Sequence, residues 1–265
     1  MAKLALLAWP LVSLLLFARL GTARGLIWSV MIGYLFLPES INIDLPGLPP
    51  YSKITAIAVG TILGVVFLRD AEARTARPAA PSTARTVIFV LLMLLLVSPV
   101  GTMLTNGEPL RAGTDVRPPI SARDLIAIVT ELIVTFTPFL LGYRYLNRPE
   151  HHRALLTAVV IMGAIYGFLV LVEIRLSPQL HRWVYGYFPH NWLQHLRGGH
   201  YRPVVFLQHG LWLGLFLYMV CLSAFTLSLS KSQKRALFTV TGVGMLFLLV
   251  VSRNLGATAL AVLLV

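Results

Sequence analysis

Long apolar runs alternate with short polar gaps along the chain, and this pattern predicts a polytopic bundle of membrane helices. A span needs about 20 predominantly apolar residues, and fewer when polar ends reach the interface. The apolar runs are 4–17, 26–37, 54–68, 87–103, 125–141, 154–172, 204–229, 236–251 and one that starts at 255. We therefore expect an all-α fold of about eight to nine spans in a single membrane domain, 1–265.

Two features of these runs leave alternatives open. The run 26–37 is short enough to be re-entrant, and the run 4–17 has the length of a signal-peptide core. Arg19 and Arg24 flank the first run on its C-terminal side and no clear small-residue cleavage site follows Phe17, which favours a retained helix. The last run reaches Val265 with no polar stop, so we expect a longer protein, truncated here at its C-terminal side.

Composition and charge agree with a membrane location. The chain is 57% hydrophobic and 12% charged, whereas soluble domains carry about 25% charged residues. A water-soluble globule and a disordered chain are both excluded. The 22 Lys and Arg residues exceed the 10 Asp and Glu residues, but they lie singly between apolar runs. We interpret them as loop residues that face anionic membrane lipid, and we expect no nucleic-acid partner.

The distribution of Lys and Arg also predicts an orientation. If the gap after the first run is cytoplasmic and the gaps alternate, 12 of the 22 basic residues lie inside, as the positive-inside rule favours. The segment 69–86, rich in Ala, Pro and Arg, then becomes a cytoplasmic linker loop. The segment 174–203 becomes an extracytoplasmic functional loop that keeps four arginines for a purpose. If run 26–37 does not span, the N-terminus becomes cytoplasmic.

The candidate chemistry is concentrated between Glu173 and Gly210. This stretch holds five of the seven histidines and four arginines, and no Asp or Glu occurs in the 92 residues after Glu173. A two-carboxylate glycosidase site cannot be built here, nor a Mg²⁺ or Mn²⁺ site, which prefers carboxylate oxygens. An acid-free group of Arg and His suits an anion, because arginine binds phosphate bidentately and histidine can accept a hydroxyl proton.

Among the arginines, Arg197 and Arg202 are the anion-binding candidates, because two glycines and a proline shape the backbone around them. Arg175 lies at a helix end, where a lipid-headgroup anchor explains it as well as a substrate contact does. Glu173 is expected to hold a loop arginine in place. The interleaved Trp and Tyr residues are either an aromatic membrane belt or sugar-stacking rings.

The histidines raise the questions of a base and of a metal. His209 lies just inside an apolar run, where an ionisable group is a functional candidate by default. His190, His195 and His200 recur every five residues, which does not place them on one helical face. We therefore expect no metal site and no other cofactor.

Three segments in the second half of the chain resemble the O-antigen ligase and O-antigen polymerase superfamily of bacterial envelope proteins. TPFLLGYRYL (137–146) is similar to the family's Pro-Phe and Leu-Gly-Arg type of helix ending. RGGHYRPVVFLQHG (197–210) is similar to its external arginine followed by a helix start. VSRNLGATALAVLL (251–264) is similar to its short Ser-Arg-Gly turn between two helices.

The resemblance implies a metal-independent glycosyltransferase of the bacterial inner membrane that acts on undecaprenyl-diphosphate-linked glycan at the extracytoplasmic face. It places the first essential arginine on Arg202, with Arg197 as the competing position. His200 would help to hold the diphosphate, and Arg253 joins the substrate-binding set. The family's Asn at the helix start is replaced here, so His209 is either the base or a local variant, and the family's catalytic histidine would lie beyond the given sequence.

Two other classes of function remain open at this point. A transporter or flippase for lipid-linked anionic glycan would use the same arginines without cleaving a bond, although we find no internal repeat of the kind that marks many transporters. A structural subunit would use the loop only to bind lipid headgroups. Alanine in place of Arg202 and His209 would then leave the envelope glycan unchanged.

Overall fold

The computed structural model of the chain describes residues 1–44, 50–71, 73, 82–113, 115–197, 199–230 and 233–264, and it is predominantly helical. The helices are α1 (Ala2–Phe36), α2 (Lys53–Leu68), α3 (Ser82–Thr105), α4 (Ala122–Tyr145), α5 (Pro149–Leu176), α6 (Leu180–Tyr185), α7 (Gly210–Ser228), α8 (Arg235–Val251) and α9 (Leu255–Leu264). A short 3₁₀ helix covers Trp192–His195. Two small antiparallel pairs join β1 (Leu110–Ala112) to β2 (Asp115–Arg117) and β3 (Leu196–Arg197) to β4 (His200–Tyr201).

The first helix, α1, is a hairpin. Gly21 has a φ of +76°, a left-handed conformation that glycine adopts without a steric cost. The chain reverses there, so that a Cβ built on Gly25 would lie 2.7 Å from the Cα of Phe17, and the hydroxyls of Ser13 and Ser29 share a hydrogen bond of 2.6 Å. The first two apolar runs are therefore the two antiparallel arms of one hairpin.

Helix α2 packs into this hairpin through small residues. A Cβ on Gly60 would collide with the hydroxyl of Ser13, and one on Gly64 would collide with the ring of Phe17. Small residues allow close approach of membrane helices, whose association depends on packing and not on the hydrophobic effect. The two arms of α1 and helix α2 therefore form one close-packed unit.

Five helices, namely α1, α3, α4, α5 and α7, are long and apolar enough to cross a membrane. The expectation of a helical membrane protein is thus supported, but the predicted eight to nine spans are not confirmed. Helices α2 and α8 are apolar but contain 16 and 17 residues, which is short of the usual span. Helix α7 begins only at Gly210, so the first residues of the apolar run 204–229 have irregular backbone.

The interior of the second half is formed by α5, α7, α8 and α9. Its buried side chains include Tyr166, Leu213, Leu217 and Leu249, all without measurable exposure. Gly163 of α5 lies directly against the side chain of Val220 of α7, with no room for a Cβ between them. The residues just before α7 pack against these helices.

Helices α3 and α4 flank this body. α3 packs on α4, and α4 packs on α1 and α2. In the most apolar 18-residue stretch of α3 and of α4 no residue is buried, against 39% in α5 and 56% in α7. The β1–β2 hairpin lies in the connection between the two helices.

The reversal of α1, the end of α2 and the start of α5 meet on one side of the bundle. The amide of Thr22, beside the α1 reversal, donates to Asp70 at 2.9 Å. Both residues line a cavity of about 270 Å³ together with Arg24 and His151. The predicted orientation placed these four residues, which lie in different gaps between apolar runs, on the same side of the membrane. The structure brings them together. Of the predicted linker 69–86, residues 72 and 74–81 lie outside the described residues, and 82–86 belong to α3.

Candidate functional site

Glu173, near the end of α5, ties together the two ends of the segment that follows it. Its side chain is 1% exposed. One carboxylate oxygen accepts a hydrogen bond from the amide of Leu180 at 3.0 Å, and the other accepts from the amides of Val204 and Val205 at 2.8 and 2.7 Å. Hydrogen bonds to an ionised acceptor are the strong ones. We call the segment 177–209 the Glu173 loop.

The backbone of this loop and its neighbours is strained at several positions. Among the described residues, the non-glycine residues with positive φ are Ser40, Ser177, Val205 and Arg253. Val205, at a φ of 59°, is the most unfavourable, because β-branched residues rarely adopt this region. Strained backbone persists only where surrounding contacts enforce it, and it is concentrated at functional sites.

Tyrosines of α5 and of the Glu173 loop bind the end of α1 and the residues that follow it. The hydroxyls of Tyr166, Tyr185 and Tyr187 donate to the backbone carbonyls of Leu35, Phe36 and Glu39, respectively. The last carbonyls of a helix lack partners within the helix, and Tyr166 and Tyr185 supply partners for those of Leu35 and Phe36. Burial and the nearby Glu39 carboxylate raise the pKa of Tyr187, which keeps its hydroxyl protonated as a donor.

A histidine and an ion pair lie beside these tyrosines. The His181 side chain is fully buried; its Nδ1 lies 2.9 Å from the carbonyl of Tyr187, and its Nε2 accepts from the amide of Glu39 at 3.4 Å. The ring is therefore neutral with its proton on Nδ1. The Glu39 carboxylate pairs with the Lys53 ammonium at 2.6 Å. The first half of the chain thus contributes directly to the loop's support.

Arg202 is positioned by the β3–β4 hairpin. Its amide donates to the carbonyl of His195 at 2.9 Å, which continues the ladder begun by Leu196 and Tyr201. The turn contains Gly199 at a φ of +77°, a conformation that favours glycine. The hairpin therefore fixes Arg202 directly across from His195.

The guanidinium of Arg202 reaches the turn between α8 and α9. Its Nη2 donates to the carbonyl of Arg253 at 2.8 Å and to Oδ1 of Asn254 at 2.9 Å. The Asn254 amide in turn donates to the hydroxyl of Ser252 at 2.9 Å. Two of the segments that carry the family resemblance, 197–210 and 251–264, therefore meet at this guanidinium.

Asn254 is held in place by helix α7. It is 1% exposed, and a Cβ on Gly214 would lie 2.7 Å from its amide carbon. The side chain of Arg253, by contrast, points to the surface and is exposed. In this turn, the buried Asn254 side chain accepts a hydrogen bond from Arg202, and the neighbouring Arg253 side chain is exposed.

Three histidines converge in the Glu173 loop. The ring centroids of His190 and His195 are 5.4 Å apart, those of His190 and His209 are 5.4 Å apart, and those of His195 and His209 are 5.0 Å apart. Nδ1 of His190 is buried and has no hydrogen-bond partner among the described residues. Within that same part of the chain, no group of three or more His, Cys or acidic residues is arranged to hold a metal ion.

His209 caps helix α7. Its Nδ1 accepts a hydrogen bond from the amide of Leu211 at 3.1 Å, so in the neutral ring the proton lies on Nε2. A histidine in this state donates hydrogen bonds through Nε2 and has no ring nitrogen available as a base while the cap is formed. The position was predicted as a base candidate, and the geometry favours a donor.

The remaining predicted site residues are less closely placed. Arg197 and His200 pair across the β3–β4 hairpin, but their side chains lie outside the described part of the structure. Arg175 is exposed at the end of α5, as a headgroup or ligand contact would require. Glu173 binds backbone amides, where the sequence suggested an arginine partner.

Sequence reasoning missed part of this arrangement. Asn254 stands next to Arg253 in the quoted segment 251–264, but nothing in its spacing shows that it receives Arg202. His190 and His195 were considered only as metal ligands, and an irregular loop, not a helix, brings them to His209. The density of histidines in this short stretch is the one signal in the sequence.

Comparison of the chain with protein-family models, with curated proteins and with solved structures finds no match.

Proposed function

We propose that the protein is a bacterial inner-membrane glycosyltransferase of the O-antigen ligase or polymerase type, acting on undecaprenyl-diphosphate-linked glycan at the extracytoplasmic face. The observation that carries the proposal is the contact of Arg202 with the 252–254 turn. Arg202 and Arg253 are 51 residues apart in the chain, and they come together next to the histidine group. The arginines make the local chemistry cationic, and the carboxylate that closes the loop, Glu173, is buried and bonded to backbone amides, so an anionic diphosphate suits the site.

In the proposed reaction, a hydroxyl oxygen of the acceptor attacks the anomeric carbon of the lipid-linked sugar. The bond from that carbon to the diphosphate oxygen breaks, and the lipid diphosphate leaves with the negative charge. Arg202 and Arg253, with Arg197 and Arg175, provide the positive field that stabilises this charge as it develops. No step in this scheme requires a metal ion or another cofactor.

The hydroxyl proton goes to a histidine. Because the cap bond occupies Nδ1 of His209, we assign to His209 the donation of a hydrogen bond through Nε2. The base role then falls to its neighbour His190, whose Nδ1 forms no hydrogen bond within the described chain. His200 lies five residues after His195 in the sequence and is assigned to the diphosphate.

The test is complementation of a strain that lacks the gene, with surface glycan followed on gels and protein abundance measured in the same cells. We expect Arg202→Ala to abolish surface glycan at normal abundance, since losing one preorganised donor costs about 2–4 kcal/mol of transition-state stabilisation. Arg202→Lys should be nearly as severe, because an ammonium cannot reproduce the bidentate fork. The lipid-linked donor should accumulate on the extracytoplasmic side.

The matched control is Arg182→Ala, which removes an exposed arginine of α6 from the same loop and should leave surface glycan unchanged. Asn254→Ala separates positioning from charge, because it removes one acceptor of Arg202 but leaves the guanidinium. Full activity of Arg202→Lys contradicts the proposal. Accumulation of the donor on the cytoplasmic side would instead identify a transporter.

A further inference from the structure

Helix α4 has two open faces of opposite character. Two sets of its exposed residues lie on opposite sides of the helix, one with a spacing of seven residues and the other with spacings of seven and four, about two turns and one turn. One face carries Ile126, Ile133 and Leu140, which are 65%, 53% and 42% exposed. The opposite face carries Asp124, Glu131 and Thr135, all exposed.

The apolar face suits lipid, but the polar face does not. Asp124 lies in the first turn, where it forms a capping box with Ser121, at a depth where headgroups and water are present. Glu131 is nine residues further into the helix than Ala122, about 14 Å along its axis. In a hydrocarbon core of about 30 Å, a carboxyl group at this depth is costly unless it has a partner.

The chain itself supplies no such partner in the part that the structure describes. Glu131 forms no hydrogen bond or ion pair there. One turn further along the same face, the hydroxyl of Thr135 also has no hydrogen bond. This is unusual for the helix, because the hydroxyls of Thr130 and Thr137 donate to the carbonyls of Ile126 and Ile133 at 2.7 and 2.9 Å.

We propose that the Glu131–Thr135 face of α4 is the interface of a parallel homodimer. In a two-fold interface, a contact between residue i of one subunit and residue j of the other is formed twice. An acceptor and a donor one turn apart on the same face are therefore self-complementary. The Thr135 hydroxyl of each subunit donates to the Glu131 carboxyl of the other. Both groups are satisfied by a second copy of this chain, and the Ile126–Leu140 face remains in contact with lipid.

The test is single-molecule photobleaching of the full chain, fused to a fluorescent protein, in liposomes over a range of protein-to-lipid ratios. We expect a monomer–dimer equilibrium that Glu131→Leu weakens by roughly tenfold, since two interhelical hydrogen bonds are lost. The matched control is Ile133→Leu, which places the same residue on the opposite face of α4 and should not change the equilibrium. Glu131→Gln keeps an acceptor and should largely retain the dimer.

A second pair of variants keeps the proposal testable if Glu131→Leu fails to fold. Thr135→Val is nearly isosteric and removes only the donor, so it should weaken the dimer severalfold, whereas Thr137→Val removes a hydroxyl already bonded within the helix and should not. A wild-type protein that stays monomeric at the highest protein-to-lipid ratio would overturn the proposal. Equal dimer affinity for Thr135→Val and Thr137→Val would do the same.

Discussion

The Glu173 loop and the α3–α4 pair are both rich in hydrogen bonds, but the bonds differ in reach. In α3 and α4 the side-chain bonds are local; the hydroxyl of Thr102, for example, donates to the carbonyl of Ser98 four residues earlier. In the Glu173 loop they connect distant segments, such as Tyr187 with Glu39 and Arg202 with Asn254. The loop therefore owes its conformation to tertiary contacts, and α3 and α4 owe theirs to helix formation.

This difference predicts unequal sensitivity to substitution, and Glu173→Ala should have the largest effect. It leaves three backbone amides without their acceptor, at a cost of about 1–3 kcal/mol for each one that stays buried. We expect the melting temperature in detergent to fall sharply and the 186–200 segment to become sensitive to limited proteolysis.

Glu150→Ala is the control for Glu173→Ala, because it removes a glutamate from the exposed start of the same helix. Glu150 forms a surface pair with Arg148 at 3.7 Å, and such pairs contribute little to stability. Equal melting temperatures for Glu173→Ala and Glu150→Ala would show that the loop does not depend on the buried carboxylate.

Glycine substitutions sharpen the comparison at the level of helix packing. Gly163→Ala places a methyl group against Val220 in the α5–α7 contact, and overpacking of this kind costs about 1–3 kcal/mol. Gly101→Ala in α3 meets nothing within 4 Å and should leave the melting temperature unchanged or slightly raised, because alanine favours the helix. A larger loss for Gly101→Ala would mean that a partner covers α3 at that point.

The smallest expected effect is a pH dependence from His181. Burial lowers its pKa, with the Lys53 charge acting in the same direction against the hydrogen bond to Tyr187. The unfolded chain therefore takes up a proton first as the pH falls, so stability is complete above about pH 6.5 and declines below it. His181→Gln should flatten the melting temperature between pH 7.5 and 5, and the exposed His152→Gln should not.

The hydropathy pattern predicted the helical class, because a membrane-spanning helix needs a run of consecutive apolar residues. It also separated the two arms of α1, because the reversal at Gly21 falls in the polar gap between the first two runs. The eight to nine predicted spans are not confirmed, because α2 and α8 are apolar but short.

For the candidate site, the sequence identified Arg202, Arg253 and His209 but not how they meet. The partners of Glu173 are backbone amides, which carry no side-chain signature. The pairing of Arg202 with Asn254 needs the relative placement of α7 and the α8–α9 turn, which no local pattern encodes. His209 was a base candidate, but its Nδ1 accepts the cap bond from Leu211, and the sequence does not show that the ring is used in this way.

The carboxylate of Glu173 acts as a crosslink. Proteins that need a long loop closed at its base often use a disulfide, which restricts the unfolded chain but depends on an oxidising compartment. This chain has one cysteine, Cys221, and it is buried among the helices. By joining Leu180 to Val204 without a covalent bond, Glu173 closes the loop in a way that reducing agents cannot open and that needs no oxidation step during assembly.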